Sequence, residues 1–537
     1  MSLSGRITES AFKHTSTSRY LFTKEKSLRL AFLLLACALI ILVVSLRLGG
    51  LSGTPGKLLW AEDGHVFLKG AIEHGLASLM EPYAGYLHVY ARAVALIASL
   101  FGPRLIPFMM LGGWLVGYVV ANLFVIRALR LNGAGALVAL GTVLICALTP
   151  TTGETLFTVT NVQWYMGAAL AVVVLMPSAR SPSLAETIFI AVASLTGPFS
   201  IILLPLLILR IVIFRDAYVR QRADLALVVC AFVQLSFFVA SDRLDAQTST
   251  HLDAWGNAFF AFLTFGTQGI IAYLAVAVFW VVYAGSMLGR LVARGSGDYA
   301  LKSSLLFLIA SIFFLLAGLY AVRQDPGVAT PLGAHARYFV IPYFLLVVSA
   351  FLVCGRKAWV GAVMCAALLV LAFQGFRTVD RFDYDYDSFV DFTTVHDGVF
   401  IPINPSFEGS QFGYRPRTGG ESKGEDVALV VGADKVSRGD NGRWLLSGSS
   451  IGCKLGTRTL GLELVLNTSA DGVLRAGWDG DVMRQRYSVR NGVDTAYVAL
   501  PWRDSGVLDF AVEAAGHGNI DFGITSINAY CVPAVRR

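Results

Sequence analysis

Residues 28–48 read LRLAFLLLACALIILVVSLRL, an almost uninterrupted apolar run as long as a helix needs to cross a bilayer. Similar runs recur up to residue 376. Of the 537 residues, 55% are hydrophobic and only 15% are charged, and the mean hydropathy is +0.63. Soluble globular proteins carry more charge and fewer apolar residues. The sequence therefore predicts a polytopic α-helical membrane protein.

The apolar runs predict about eleven membrane-spanning helices, if a span needs roughly 17 to 25 residues and a few shorter runs are accepted. These spans are 28–48, 104–126, 134–149, 161–177, 184–196, 199–214, 224–240, 268–289, 303–320, 338–354 and 358–376. The stretch 88–101 is short and contains Arg92, so we interpret it as a half-helix that dips into the bundle.

The basic residues of the loops predict the orientation. Residues 1–30 are rich in Lys and Arg and no convincing cleavage site follows, which indicates an uncleaved signal anchor with 1–27 in the cytoplasm. With 88–101 excluded, the later basic clusters all fall on the cytoplasmic side. The outer side then receives 49–87, 150–160, 241–256, 321–336 and the tail from about 377. Chemistry is therefore expected on the outer face.

The tail is predicted to have two parts, a linker at 377–425 and a β-domain at 426–537. Short alternating apolar runs recur in the second part at roughly ten-residue spacing, separated by turn signals such as Asp471-Gly472 and Asn491-Gly492. This pattern is typical of a β-sandwich, here jelly-roll-like. The predicted strands are 428–431, 444–446, 460–466, 473–478, 485–489, 495–500, 507–512 and 520–530.

Cys453 and Cys531 are the cysteines of the polar tail, whereas the other five lie in apolar runs. Two cysteines in a domain that faces an oxidising compartment predict a disulfide bond, and two buried thiols otherwise.

The first outer loop contains Trp60-Ala61-Glu62-Asp63-Gly64-His65. An acidic pair at the rim of a membrane bundle is costly to hold near lipid and is usually retained for chemistry or transport. The structural alternative is that Asp63 caps an amphipathic helix that begins near Gly64. The loop continues through Tyr83-Ala84-Gly85-Tyr86-Leu87-His88 to Arg92, which makes a concentrated polar region for a membrane protein.

With these residues the sequence resembles the bacterial branch of the C-type integral-membrane glycosyltransferases (GT-C fold), which use polyprenyl-phosphate sugars as donors. The resemblance covers 1–376 at the level of architecture. It rests on Glu62-Asp63 in a long first outer loop, the amphipathic segment after it, the segment 82–88, and a many-span core with a soluble tail. It implies a bacterial inner-membrane location, a periplasmic tail, and an acidic base acting on the acceptor. That base falls on Asp63, with Glu62 as second candidate.

Arginines of the last long outer loop are candidates for binding the donor phosphate. Arg323 and Arg337 lie in this loop, with His335 beside Arg337, and a planar guanidinium can bind two phosphate oxygens. The alternatives are that Arg337 anchors the interface and Arg323 pairs with Asp325. Arg92 either binds the donor phosphate as well or pairs with Glu81. His88 and Tyr86 are further candidates for the substrate site.

A polar and aromatic stretch precedes the fourth span and could bind sugar hydroxyls and stack on a sugar ring. Its candidate residues are Glu154, Asn161, Gln163 and Trp164. An aromatic belt at the membrane surface explains Trp164 equally well.

Metal and nucleotide sites are not indicated. The eight histidines form no helical HxxxH pair and no cluster with cysteine, so zinc is not expected, although Glu62 and Asp63 could hold a divalent cation beside a phosphate. The phosphate-binding motifs GxxxxGK[ST] and GxGxxG are absent from the relevant contexts, and the scattered basic residues argue against nucleic acid.

The leading hypothesis is a hexosyl- or pentosyltransferase that moves a sugar from a polyprenyl-phosphate carrier to a cell-envelope glycan such as lipopolysaccharide O-antigen. Its partners would be the lipid-linked donor, the glycan acceptor and membrane lipid, and the β-domain would bind carbohydrate or act as a docking domain. The alternatives are a lipid-linked glycan polymerase or ligase, and a secondary transporter or flippase.

Overall fold

A computed structural model describes 30–47, 55–150, 153–177, 181–215, 221–241, 252–333, 335–355 and 358–374, and most strand residues between 399 and 533. It also describes Phe376, Arg381, Tyr386, Val390, Ile403 and Asn404, and the turn residues 443, 469–471 and 490–491. The N-terminal segment 1–27 and Cys453 lie outside the described residues, as does the side chain of Cys531, so the disulfide stays a prediction.

The first part of the chain is helical. Its long elements are α1 Leu30–Arg47, α2 Lys69–His74, α3 Val89–Ala98, α4 Ile106–Leu131, α5 Ala136–Ala147, α6 Val162–Leu175, α7 Leu184–Ser194, α8 Phe199–Phe214, α9 Gln221–Val239, α10 Leu252–Leu263, α11 Ile270–Arg294, α12 Tyr299–Ala321, α13 Val340–Cys354 and α14 Ala358–Gln374. A π-helix at Asp63–Leu68 and 3-10 helices at Pro55–Leu58, Gly75–Met80, Gly295–Gly297, Pro326–Val328 and Ala336–Phe339 lie between these helices.

Six helices in the described ranges are long and apolar enough to cross a membrane: Leu30–Arg47, Ile106–Leu131, Arg222–Val239, Ile270–Gly297, Tyr299–Ala321 and Ala336–Cys354. The chain is therefore mostly helical up to residue 374, as a multi-pass membrane protein would be. Each predicted span contains a helix, but the count of eleven spans remains a prediction. α3 has ten residues, which agrees with a half-helix.

α10 is a helix that the sequence did not predict, because it overlaps the expected outer loop 241–256. Asp253, Gly256 and Asn257 interrupt its apolar residues and hide a twelve-residue helix. At the centre of the bundle, α6 is buried along its whole length and α13 almost so. Both are apolar on all sides, as expected of helices surrounded by other helices.

The end of the bundle opposite the first loop is fastened by ion pairs between helix termini; we call it the inner end. Arg210 of α8 lies 2.8 Å from Asp224 of α9, and Arg290 of α11 lies 3.0 Å from Asp298 at the start of α12. Arg210 also donates to Val174 O of α6, at 2.6 Å. The other end, which carries the loop 55–88, is the outer end.

The C-terminal region consists of antiparallel strands, as predicted. They are β1 Val399–Pro402, β2 Gln411–Tyr414, β3 Ala428–Val431, β4 Val436–Arg438, β5 Trp444–Ser447, β6 Thr457–Thr468, β7 Gly472–Trp478, β8 Gln485–Val489, β9 Gly492–Val498, β10 Val507–Ala514, β11 His517–Ile520 and β12 Phe522–Pro533. The strands β1, β2, β4 and β11 were not predicted, and β1 and β2 lie within the expected linker.

Two sheets form the bulk of this region. One has the order β4-β5-β10-β7-β8 with β11 beside β10, and the other has the order β3-β12-β6-β9. The turn at Asp471-Gly472 joins strands of different sheets, and so does the turn at Asn491-Gly492. Leu474 and Phe510 of the first sheet share one apolar core with Leu464 of the second.

Candidate functional site

The acidic pair is held in an unusual backbone conformation at the outer end. Ala61 has φ 24°, a region that costs a residue with a Cβ about 1–3 kcal/mol. Its N–H donates to Asn404 O at 2.5 Å, and its carbonyl oxygen accepts from His65 N at 3.2 Å. The His65 ring nitrogen Nδ1 lies 2.8 Å from the same oxygen. Contacts on both sides thus hold Ala61 in this conformation directly before the acidic pair.

Asp63 is buried, with 1% of its surface exposed. Its Oδ1 accepts hydrogen bonds from Thr160 N at 2.7 Å and Thr160 Oγ1 at 2.6 Å, and its Oδ2 accepts from Trp60 N at 3.3 Å. The π-helix begins at Asp63 itself, and its N-cap residue is Glu62, without a side-chain cap bond. The structure therefore does not support the alternative in which Asp63 serves as a helix cap.

Burial raises the pKa of Asp63 from 3.8 to about 6, although the hydrogen bonds from Thr160 act in the opposite direction and Glu62 adds to the rise. A carboxylate with a pKa close to the working pH is suited to accept a proton. Because Oδ2 accepts one long hydrogen bond, this oxygen has the greater remaining capacity.

Glu62 is half-buried and differs from its neighbour in its contacts. Tyr83 OH donates to Glu62 Oε1 at 3.3 Å. Burial, together with the charge of Glu62 and this hydrogen bond, raises the pKa of Tyr83 to about 12, so the phenol keeps its proton at neutral pH. Glu62 is the more accessible carboxylate of the pair, and Asp63 is the more perturbed one.

Glu154 brings the predicted sugar-binding stretch to Arg337. Arg337 N donates to Glu154 Oε1 at 2.9 Å, and the guanidinium lies 3.6 Å from Oε2. Glu154 O accepts from Asn161 Nδ2 at 2.8 Å, and Asn161 Oδ1 accepts from Trp164 Nε1 at 3.1 Å. Thr160 directly precedes Asn161, so this chain of contacts reaches the Asp63 carboxylate.

His335 lies beside this chain, with φ 58° and its ring 5.9 Å from the Tyr338 ring. Burial and the neighbouring Arg337 lower the pKa of His335, although Glu154 and Asp325 oppose the change. The imidazole is therefore neutral at pH 7, so it can offer a hydrogen bond to substrate but no charge.

A cavity of about 470 Å³ opens next to these residues. Its walls are apolar and come mainly from α8, α12 and α13; Phe199, Ile202, Phe314, Ala317 and Ile341 are among its lining residues. Its polar and aromatic lining residues are Tyr86, Trp164, Tyr320, Arg323, Gln324 and Tyr338. The cavity is thus largely apolar, with a polar part that contains Arg323.

Arg323 and Trp164 contribute to the cavity in different ways. Arg323 is buried, with its guanidinium 4.4 Å from the centre of the Tyr320 ring and a donated hydrogen bond to Tyr320 O at 3.3 Å. Trp164 packs edge-on against Tyr338 at 5.3 Å and against Phe199. Aromatic faces beside a cation are a common surround for a sugar phosphate.

Three predicted residues lie behind the site. Arg92 is buried against Glu81, with Nη1 3.2 Å from Oε2 and the guanidinium 5.4 Å from the Phe67 ring. This favours the alternative in which Arg92 pairs with Glu81. His88 is buried and packs against the rings of Phe67, Tyr83 and Tyr86. Gln163 is buried beside Gly197. A Cβ added to Gly197 would lie 2.7 Å from Gln163 Oε1.

Two residues that the sequence did not single out hold the site together. Thr160 binds Asp63 directly, and Arg381 lies below Trp60 with its guanidinium 4.9 Å from the ring. Among the described residues, no group of three or more His, Cys, Asp or Glu side chains could hold a metal ion.

No protein-family model matches the sequence, and no curated protein or solved structure gives a significant match.

Proposed function

We propose that this protein is a membrane glycosyltransferase that moves a sugar from a polyprenyl-phosphate donor to a cell-envelope glycan. The observation that carries the proposal is the apolar cavity with arginine and aromatic residues in its lining, next to a loop with two carboxylates. In this proposal eleven helices cross the bacterial inner membrane and the outer end faces the periplasm. The two C-terminal sheets then form a periplasmic β-sandwich.

The lining of the cavity has the polarity that such a donor would need. A polyprenyl chain would occupy the walls formed by α8, α12 and α13, where apolar burial stabilises it by about 25 cal/mol per Å². Its phosphate would lie at Arg323, with Arg337 as the second cation. Because Glu154 already contacts Arg337, an incoming phosphate would compete with this carboxylate for the guanidinium.

The carboxylates supply the acid–base chemistry. In the transfer step, the acceptor hydroxyl loses its proton to Asp63 while its oxygen bonds to the anomeric carbon. The bond between that carbon and the phosphate oxygen breaks, and the electron pair leaves with the lipid phosphate. The cationic side chains stabilise this leaving group. Glu62, the more accessible carboxylate, is the second candidate for the base.

Transport is the less favoured function. Coupled transporters hold ionisable groups near the middle of the membrane. The ion pairs between described helices, Arg210 with Asp224 and Arg290 with Asp298, lie instead near helix ends. Other buried polar contacts between helices are made by neutral groups: Gln234 binds Leu87, Ser194 and Gly197 backbone atoms, and Tyr283, Ser304 and Ser349 bind one another. A lipid-linked glycan polymerase or ligase would use the same donor chemistry and remains the closest alternative.

Filling the cavity tests the proposal. Ala317→Phe projects into the cavity from α12, whereas Ile309→Phe places the same ring on the 37% exposed, lipid-facing part of that helix. We expect a photoactivatable polyprenyl phosphate to label the wild type and Ile309→Phe equally and Ala317→Phe about tenfold less. Equal labelling of all three proteins would contradict a donor site in this cavity.

A further inference from the structure

Several described residues between α14 and the two sheets pack against the helical part of the chain. Arg381, Tyr386, Val390, Ile403 and Asn404, which we call the return residues, are all buried. Asn404 pairs with Trp60: Ala61 N donates to Asn404 O, and Asn404 N donates to Leu59 O at 3.2 Å. The chain thus returns from the last helix to the acidic loop before it enters the sheets.

Tyr386 fixes a second point of this contact. Its hydroxyl donates to Pro103 O at 2.8 Å. Its side chain packs so closely on Gly56 that a Cβ there would lie 2.1 Å from the Tyr386 Cβ. The return residues therefore contact the first loop on both sides of the site, before and after the Trp60 ring.

Arg381 joins the two loops that flank Asp63. Its Nη1 donates to Leu58 O at 2.7 Å, and its Nη2 donates to Gly153 O at 3.2 Å and also to Leu156 O. Leu58 precedes the acidic pair, and Leu156 precedes Thr160, whose N–H and hydroxyl bind Asp63. One guanidinium thus sets the distance between the carboxylate and its hydrogen-bond donors.

The charge of Arg381 also acts on the site. Burial lowers the pKa of Arg381 to about 10, while the negative charge of Asp63 acts to raise it. At that pKa the guanidinium remains protonated at neutral pH. The charges of Arg381 and Asp63 therefore interact, and an opposite charge favours the ionised form of a carboxylate.

We propose that Arg381 is a positioning residue for the Asp63 carboxylate, and that the return residues make the start of the tail part of the reaction centre. The proposal rests on the proposed glycosyl transfer for its kinetic consequences but not for its structural ones. It assigns to the tail a role in the geometry of the site, in addition to any role of the sheets in holding the acceptor.

Arg47 offers a matched control. It is also buried, and its Nη1 donates to Ala147 O at 2.8 Å and to Thr149 O at 3.1 Å, at the end of α5, while its Nε donates to Phe376 O at 3.4 Å. Arg381→Met and Arg47→Met therefore remove the same group from comparable backbone contacts. Only the first removes it from the Asp63 site. Arg381→Lys keeps the charge and loses the planar fork.

The kinetic test compares the three variants with the wild type in the purified full chain. We expect Arg381→Met to lower kcat about 100-fold with little change in donor KM, as misplacement of a reacting group does. The acidic limb of its pH–rate profile should move about one pH unit higher, because the carboxylate loses a neighbouring cation. Arg381→Lys should recover part of kcat and restore the position of the limb.

Hydrogen–deuterium exchange decides the structural claim even if the wild type shows no transfer. We expect Arg381→Met to speed exchange about tenfold in peptides covering both 56–64 and 153–161, while Arg47→Met leaves 56–64 unchanged. Unaltered exchange in either segment for Arg381→Met, or an equal effect of Arg47→Met on 56–64, would overturn the proposal. If Arg381→Met does not fold, Arg381→Lys decides: an acidic limb about one pH unit above that of the wild type, or exchange unaltered in both 56–64 and 153–161, would overturn the proposal.

Discussion

The two ends of the helical bundle both bury arginines, but they use them differently. At the inner end, each of Arg210 and Arg290 meets one carboxylate at 3.0 Å or less and also binds a helix carbonyl oxygen. At the outer end, Arg381 binds backbone carbonyl oxygens, and Asp63 accepts from Thr160 and Trp60 N. The charges of Asp63 and Arg381 are thus held mainly by neutral groups, whereas Arg92 and Arg337, elsewhere at the outer end, meet Glu81 and Glu154.

This difference indicates which end is built for chemistry. A closed ion pair satisfies both charges and fastens two helices, so a substrate gains little by entering it. A carboxylate held by a hydroxyl and amides keeps its charge and a perturbed pKa, which is the condition expected of a reacting group. We infer that the inner end serves stability and the outer end serves function.

Breaking an inner-end pair should have the largest effect on stability. Arg210→Met leaves Asp224 in a largely buried position, which we expect to cost about 3–5 kcal/mol and to lower the melting temperature in detergent clearly. The double variant Arg210→Met/Asp224→Leu should recover most of the lost stability, since no buried charge is left without a partner. Transfer by the folded fraction of either variant should remain near the wild-type rate; a selective loss of rate would contradict the assignment of this end.

Removing a carboxylate at the outer end should have the largest effect on rate. Asp63→Asn keeps shape and one acceptor for Thr160, so folding should be preserved while transfer falls about 100-fold or more. Glu62→Gln should reduce transfer less, because we assign the proton transfer to Asp63. A melting curve and donor labelling of each variant separate lost chemistry from lost folding. If Glu62→Gln lost more transfer activity than Asp63→Asn, Glu62 would be the base instead.

The arginines of the outer end should control donor binding. Arg337→Ala should raise the donor KM about tenfold. Arg337→Lys should restore only part of the lost affinity, because the Lys ammonium lacks the planar guanidinium that binds two phosphate oxygens at once. Arg323→Ala should add to this effect. Arg92→Ala is the contrasting variant: its partner is Glu81, so we expect a lower melting temperature with donor KM unchanged.

The two ends should also respond oppositely to acid. Because the pKa of Asp63 is raised to about 6, transfer should decrease as the pH falls through 6, and protonation of this group favours the folded state. For Asp298, burial acts to raise the pKa, but bonds from Arg290 and Ala300 N outweigh it and the net pKa is lowered. Its stabilising contribution is present above about pH 4 and is lost only below that value.

Rates and melting temperatures measured from pH 8 to 5 check this prediction. The rate of the wild type should fall without a loss of thermal stability, and the residual rate of Asp63→Asn should be independent of pH near 6. A melting temperature that falls together with the rate would show that acid acts on folding and not on Asp63.

The helices and most strands could be predicted because their signal is local. The apolar runs locate the helices, and strands such as β8 coincide with the predicted ranges because alternation and turn residues are encoded within a few positions. α10 was not predicted because polar residues interrupt its apolar pattern. β2 was not predicted because the sequence around it is rich in Gly, Ser and Arg, as a linker would be.

The site could be predicted in part. Glu62, Asp63 and Arg337 stand out as charged side chains in outer loops of an apolar chain. Arg381 does not, because its partners are backbone carbonyl oxygens as far as 323 positions away, which any residue type would provide. The cavity left no signal either, since its wall combines side chains of separate helices that are each typical of a lipid-facing or packed surface.

The central claim is tested most directly by a transfer assay on the purified, reconstituted chain. A polyprenyl-phosphate sugar with a radiolabelled sugar is incubated with an envelope glycan acceptor, and the label in lipid and in glycan is measured over time. We predict that label moves to the glycan with the wild type and stays on the lipid with Asp63→Asn, although both proteins bind the donor equally. Label that moves equally with both proteins, or with neither across a panel of sugar donors, would contradict the account.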